Sequence, residues 1–186
     1  MVQPVLKKAV YEDLLRIPDH MVGQIINGDL IALPRPSPRH AQATSALGFE
    51  IGPPYRFGRG GPGGWIILDE PEIRLGEDIL VPDMAGWRRE RLPSPPAENW
   101  ISLAPDWVCE VLSPGTERID RIRKMPIYAA FKVPHLWLVN PREKTLEVFK
   151  YSAGGWLLLA AHGGDETVRA EPFAEIEIDL GLLWWE

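Results

Sequence analysis

Trp107-Val108-Cys109-Glu110-Val111-Leu112 is a run of β-branched, aromatic and aliphatic residues with one carboxylate in its middle. A strand buried on both faces reads as such a near-continuous apolar run, so this stretch is predicted to be a central strand. Ser113-Pro114-Gly115 ends it, and Thr116 is expected to cap a helix reaching about Phe131. His135 to Val139 is a second buried strand, and two turns, at Pro141–Lys144 and Gly154-Gly155, lead into strands over 146–151 and 156–161. Upstream, strands are predicted over 65–68, 72–75 and, as one element, 80–87. Ser37 as cap and Pro38 at the first helical position open a helix. It runs through Ala43, Leu47 and Ile51 and is expected to stop at Pro53-Pro54. Asn27-Gly28 between two β-rich runs predicts a hairpin, since both residues tolerate positive φ. A short helix over 11–17 precedes it. The order implies an α/β (α+β) fold, a mixed central sheet flanked by helices.

The 186 residues suit one domain spanning 1–186. Hydrophobic residues make up 45% of the chain, which excludes a disordered one. A net charge of −6 argues against a protein that lives on non-specific phosphate contacts. It leaves nucleic acid open, because a site built of carboxylates is acidic until cations fill it. Cys109 is the one cysteine, so no intrachain disulfide forms. The start, Met1 to Lys8, lacks the apolar stretch of a signal peptide, and no apolar run approaches the ~20 residues that span a bilayer. The expectation is a cytoplasmic protein with no membrane contact.

Three clusters carry chemistry. Leu80-Val81-Pro82-Asp83-Met84 places a carboxylate directly after a proline, which marks a strand edge, start or bulge. In that apolar setting Asp83 is exposed, paired or holding a cation. Glu110, enclosed by apolar neighbours, is either a metal ligand or half of a buried ion pair. Carboxylates on adjacent strands form the oxygen-rich site that Mg²⁺ or Mn²⁺ prefers. On the following helix Asp120, Lys124 and Tyr128 are spaced i, i+4, i+8 and share a face. Lys124 could serve that site, or simply pair with Asp120 in solvent. Pro126 is expected to kink the helix near Lys124. The glycine-rich residues 58–64 lack both the Gly-Lys-Ser/Thr ending and the following helix of a phosphate loop, and read as a plain loop.

Pro82-Asp83 followed by Glu110 resembles the PD-(D/E)XK nuclease superfamily. The ordered set extends the likeness: Glu110-Val111-Leu112-Ser113-Pro114, then Asp120, Lys124 and Tyr128, then Val133 to Pro141. With the Asn27-to-Ile31 hairpin and His40, it resembles the Uma family of bacterial restriction endonuclease-like proteins, from about Tyr11 to Tyr151. The resemblance implies a restriction-endonuclease-like fold and a divalent-cation site. Asp83 and Glu110 would be the ligands and Lys124 the catalytic lysine. The superfamily usually carries its lysine two residues after the second acid, where this chain has Leu112; the family is understood to recruit it from the next helix. The family pattern also has Gly at Lys132 and Asp at Asn140, both read here as turn and surface changes.

Glu70 and Glu72 alternate onto one side of the strand before Asp83, and Glu72 is the expected third metal ligand. His40, Asp120 and Tyr128 are secondary candidates, His40 against the plainer reading of a surface histidine. Arg35, Arg39, Arg56 and Arg59 flank the first long helix and could contact a nucleic-acid backbone. The eight tryptophans are scattered, and core packing or a subunit interface is the reading for most of them. The apolar Leu180 to Trp185 reads as an exposed interface patch and predicts a homodimer. The expected function is metal-dependent hydrolysis of a nucleic-acid phosphodiester, DNA first. The alternatives are a non-catalytic nucleic-acid- or protein-binding domain of the same fold, and a hydrolase of smaller phosphodiesters.

Overall fold

A computed structural model describes residues 8–185, so the leader reading made on the first residues lies largely outside the described ones. After the short α1 (Tyr11–Leu14), strands β1 (Met21–Ile26) and β2 (Asp29–Pro34) form the predicted hairpin. Its turn has Asn27 at φ 54° and Gly28 at φ 82°, the pair of positive values that a two-residue hairpin requires. Helix α2 (Pro38–Ile51) begins as predicted, with the Ser37 hydroxyl accepting the His40 amide. Its α-helical run ends at Ile51, just before the prolines, as expected. One wide turn, Gly52–Arg56, follows, closed by Phe57 N donating to the Gly52 carbonyl. Pro53 and Pro54 have no N–H for the α ladder, and the wider turn bypasses them.

Strands β3 (Trp65–Asp69), β4 (Ile73–Leu75), β5 (Asp78–Leu80), β6 (Met84–Arg88) and β7 (Trp107–Val111) come next. The single strand expected over 80–87 is in fact two, β5 and β6, in different sheets. Val81-Pro82-Asp83 is the crossover between them, because Pro82 cannot donate to a ladder. The helical stretch after β7 comprises α3 (Glu117–Ile119), a π turn over Asp120–Lys124 and α4 (Met125–Ala130). Thr116 precedes it, but its hydroxyl caps nothing and instead meets Ser113 Oγ at 2.9 Å. The π turn sits where the ring of Pro126 would clash with the carbonyl one α turn back, so the predicted disruption takes the form of a widened turn.

The remaining strands are β8 (His135–Asn140), β9 (Thr145–Ser152), β10 (Gly155–Gly163), β11 (Thr167–Val168) and β12 (Ile178–Asp179). The central sheet has six strands in the order β10-β9-β8-β7-β6-β3, with β7 and β8 parallel and every other pair antiparallel. A second sheet, β2-β1-β5-β4, packs against it. Alternation along β7 sorts its residues onto two cores. Trp107, Cys109 and Val111 face α2 and the C-terminal segment. Val108 and Leu112 face α4 and the second sheet, and Glu110 belongs to this side by register.

The C-terminal residues correct the sequence reading. Leu180 and Leu183 are fully buried, Trp184 is 5% exposed, and all three join the core under α2. Leu182 and Trp185 remain exposed. Most of the segment's apolar surface is therefore buried within the chain, and only Leu182 and Trp185 remain of the exposed patch from which a homodimer was expected. Among the described residues no helix is long and apolar enough to cross a membrane.

Candidate active site

The end of β6 and the middle of β7 build the site. Their ladder closes at Met84 opposite Cys109, and the next backbone amide, Val111 N, is met by a side chain: Asp83 Oδ2 accepts it at 2.6 Å. Asp83 thus extends the ladder past Pro82 and is fixed beside Glu110. Its other oxygen, Oδ1, lies 3.0 Å from His40 Nε2, which the first turn of α2 brings in. His40 is buried, not a surface residue, and its Nδ1 has no hydrogen-bond partner among the described residues. Burial works against the imidazolium, but Asp83, helped by Asp120 and Glu70, holds the His40 pKa above its ordinary value.

Glu110 is 1% exposed, and both of its oxygens are engaged. Tyr128 Oη donates to Oε1 at 2.7 Å and Lys124 Nζ to Oε2 at 2.9 Å. Lys124 also meets Asp120 Oδ1 at 3.0 Å and the Val81 carbonyl at 3.3 Å, so its three N–H bonds are all directed. The i, i+4, i+8 spacing does place Asp120, Lys124 and Tyr128 together, but as a buried network rather than an exposed pair. Burial pushes the Glu110 carboxyl up to about 8; Lys124 opposes this, while Asp120 and Asp83 add to it. Burial lowers Lys124, yet Glu110, Asp120 and Asp83 outweigh it and keep the ammonium charged.

A pocket of about 380 Å³ opens on this network, lined by Asp83, Glu110, Asp120 and Lys124 together with His40 and Glu70. The expected third ligand, Glu72, is elsewhere: its carboxylate accepts from Tyr11 Oη at 2.8 Å. Alternation fails between the two glutamates because Glu70 adopts φ 45° and β3 ends before it. Glu70 is therefore the acid on the pocket wall, 3.5 Å from Arg35. Gln24 was missed by the sequence reading. It is 1% exposed, and its Oε1 accepts Val81 N at 2.9 Å, anchoring the link that carries Asp83. An amide inside the apolar run of β1 was the available signal.

The donor chemistry suits a hard divalent cation. Asp83, Glu110 and Asp120 face two cationic side chains, and the neighbouring carboxylates add to the burial that raises Glu110. Each carboxylate oxygen keeps a second lone pair beyond its present partner. Among the described residues, no three His, Cys, Asp or Glu side chains already converge as a metal-holding group.

Comparison with known proteins gives one family and one fold. The model of the Uma2 family, described as "Putative restriction endonuclease", matches residues 11–181. A crystal structure of a "putative nuclease belonging to DUF820" from Anabaena variabilis ATCC 29413 is similar, with a TM-score of 0.71 at 20% identity. The likeness covers 94% of this chain and 97% of that one, and at this identity it speaks for the fold. No curated protein matches.

Proposed function

Because the chain belongs to the Uma2 family, we propose that it is a metal-dependent nuclease that hydrolyses phosphodiester bonds of nucleic acid, DNA first. The observation that carries this reading is the junction of Asp83 and Glu110 on neighbouring strands with Lys124 in one pocket. Asp83 and Glu110 would hold Mg²⁺ or Mn²⁺, which when bound supplies Lewis acidity at the scissile phosphate and lowers the pKa of a water. Hydrolysis forms a bond from a water oxygen to phosphorus and breaks the bond to the leaving oxygen.

The chain's own groups prepare that exchange. Lys124 carries a fixed positive charge toward the pocket, suited to the negative charge that develops on phosphate. Asp120 and Tyr128 are positioning residues, one holding Lys124 and the other holding Glu110. His40 orients Asp83 through Oδ1. Leu112, directly after β7, leaves the usual lysine position apolar, so Lys124 is the charge available.

One observation favours the rival reading of a non-catalytic binding domain: every carboxylate oxygen of Asp83 and Glu110 already has a protein partner. Calorimetric titration with Mn²⁺ separates the two. The expected result is binding by the wild type that Glu110→Gln abolishes, with cleavage of plasmid or oligonucleotide DNA in Mg²⁺ or Mn²⁺ lost in Asp83→Asn and Glu110→Gln. A folded wild type that neither takes up Mn²⁺ nor cuts would overturn the nuclease.

A further inference from the structure

A second cavity, about 490 Å³, leaves the same Asp83–His40 corner and runs along α2 to Arg56 and Phe57. Ala41, Ser45 and Gly48 line it at helical spacing, so the helix offers it small side chains. Its two ends differ in charge. Glu70 and Asp83 stand at the one, by His40 at the start of α2, and Arg56 at the other, with Asp69 within reach of the Arg56 charge. Phe57 is 61% exposed, although a phenylalanine on a surface turn loses by exposure what burial would contribute. Two guanidinium groups flank its ring, Arg56 at 5.4 Å and Arg59 at 5.6 Å from the centroid. Both distances are within cation–π range, so a base that stacks on Phe57 takes the place of a guanidinium contact that is weak at an exposed site. Arg56 is held in place by its bond to the Ile67 carbonyl at 3.0 Å, and Arg89 reaches the Arg56 carbonyl at 3.4 Å.

We infer that this groove binds an unpaired nucleotide of a single strand, its base stacked on Phe57 and its phosphate held between Arg56 and Arg59. The inference rests on the nuclease reading and deepens it by naming the substrate class. The volume falls within the range of small-ligand sites. A strand laid along the groove puts one phosphate at the carboxylate end, where a cation is needed, and another at the arginines. An aromatic face takes any base that has been unstacked, while the bases of a duplex keep their faces for each other. The acidic total charge fits a site of few phosphate contacts better than a long duplex track. Of the four arginines near α2, Arg56 lines the groove and Arg59 lies beside it at the Phe57 ring, whereas neither Arg39 nor Arg35, which Glu70 and the Asp19 carbonyl engage, lines it.

Fluorescence anisotropy with labelled dT12 and with the blunt dA12·dT12 duplex, in Ca²⁺ and in EDTA, tests it. The expected result is tighter binding of the single strand. Phe57→Ala should weaken it roughly 5- to 100-fold without changing the salt dependence, and Phe57→Tyr should restore it. Arg59→Gln should reduce the slope of log K against log salt by about 0.7. Phe57 and Arg59 are surface residues, so each variant keeps the fold. Equal or tighter binding of the duplex, or a Phe57→Ala protein that binds dT12 as the wild type does, would overturn the inference. The readout is binding, so the two readings fail separately. Absence of cleavage with Phe57-dependent strand binding would sink the nuclease alone, and cleavage with Phe57-independent binding would sink this inference alone.

Discussion

Glu110 shows how one buried carboxyl sets the behaviour of the site. Its ordinary value of 4.5 rises to about 8, with burial as the main cause. Between those values the native protein holds a proton that the unfolded chain has released. Stability is therefore full below about 4.5 and falls as pH rises through about 8. The metal-free protein should lose melting temperature from pH 5 to pH 8. Glu110→Gln, which keeps the shape and cannot ionise, should flatten that slope without removing it. His40 and Asp120 are also raised and act with the same sign. A slope identical in wild type and variant would show that Glu110 is ionised throughout. The carboxylate in an apolar strand was legible from the residues alone. Its partners were not, since Tyr128 lies 18 positions away in the chain and meets it only through the packing of α4 on β7.

At the level of elements, the end of α4 offers a clean test. Val133 N donates to the Tyr128 carbonyl and Lys132 N to the Ala129 carbonyl, with Lys132 at φ 56° between them. This is the paired-bond helix terminus that glycine normally occupies, and a side chain there costs about 1 kcal/mol. Lys132→Gly should raise stability by roughly that amount, or about 2–4 °C in melting temperature. A fall would mean that the lost entropy of the unfolded chain dominates. Asn140, the other departure from the family pattern, does what an aspartate would: its Oδ1 accepts the amides of Arg142 and Glu143. The widened turns at Gly52–Arg56 and Asp120–Lys124 share a cause, a proline interrupting a helix the chain otherwise continues. The proline was visible beforehand. Whether the helix stops or widens depends on what its far side packs against.

Across the whole molecule, the core under α2 is organised by Phe173. Its ring is fully buried among Tyr55, Trp65, Trp107 and Trp137, with centroids 4.6 to 5.5 Å away. Those four come from the turn after α2 and from β3, β7 and β8, so Phe173 fastens the C-terminal segment to the central sheet. Phe173→Ala should cost about 3–5 kcal/mol through the cavity it leaves. Thermal unfolding should shift down by on the order of 10 °C, and the emission of the surrounding tryptophans should move to the red. An unshifted transition would mean that the core closes over the gap. Trp65, Trp87, Trp107, Trp137 and Trp184 are thus core residues, while Trp185 stays exposed, and of the C-terminal leucines Leu180 and Leu183 join the core.

The residues by themselves determined the order of elements, the hairpin at Asn27-Gly28, the cap at Ser37, the central strand and the carboxylates Asp83 and Glu110, while Lys124 joined them only as an expectation from the family resemblance. Each of these depends on local geometry, a turn that needs positive φ, a free amide that needs an oxygen, or a period of 2 or 3.6. The tertiary structure decided the rest. It divided the stretch before Asp83 between two sheets, exchanged Glu72 for Glu70 at the pocket, and buried His40 against Asp83 and Gln24 against Val81. Those outcomes depend on which faces meet after the chain has closed on itself, and the spacing of residues along a strand or helix does not contain that information.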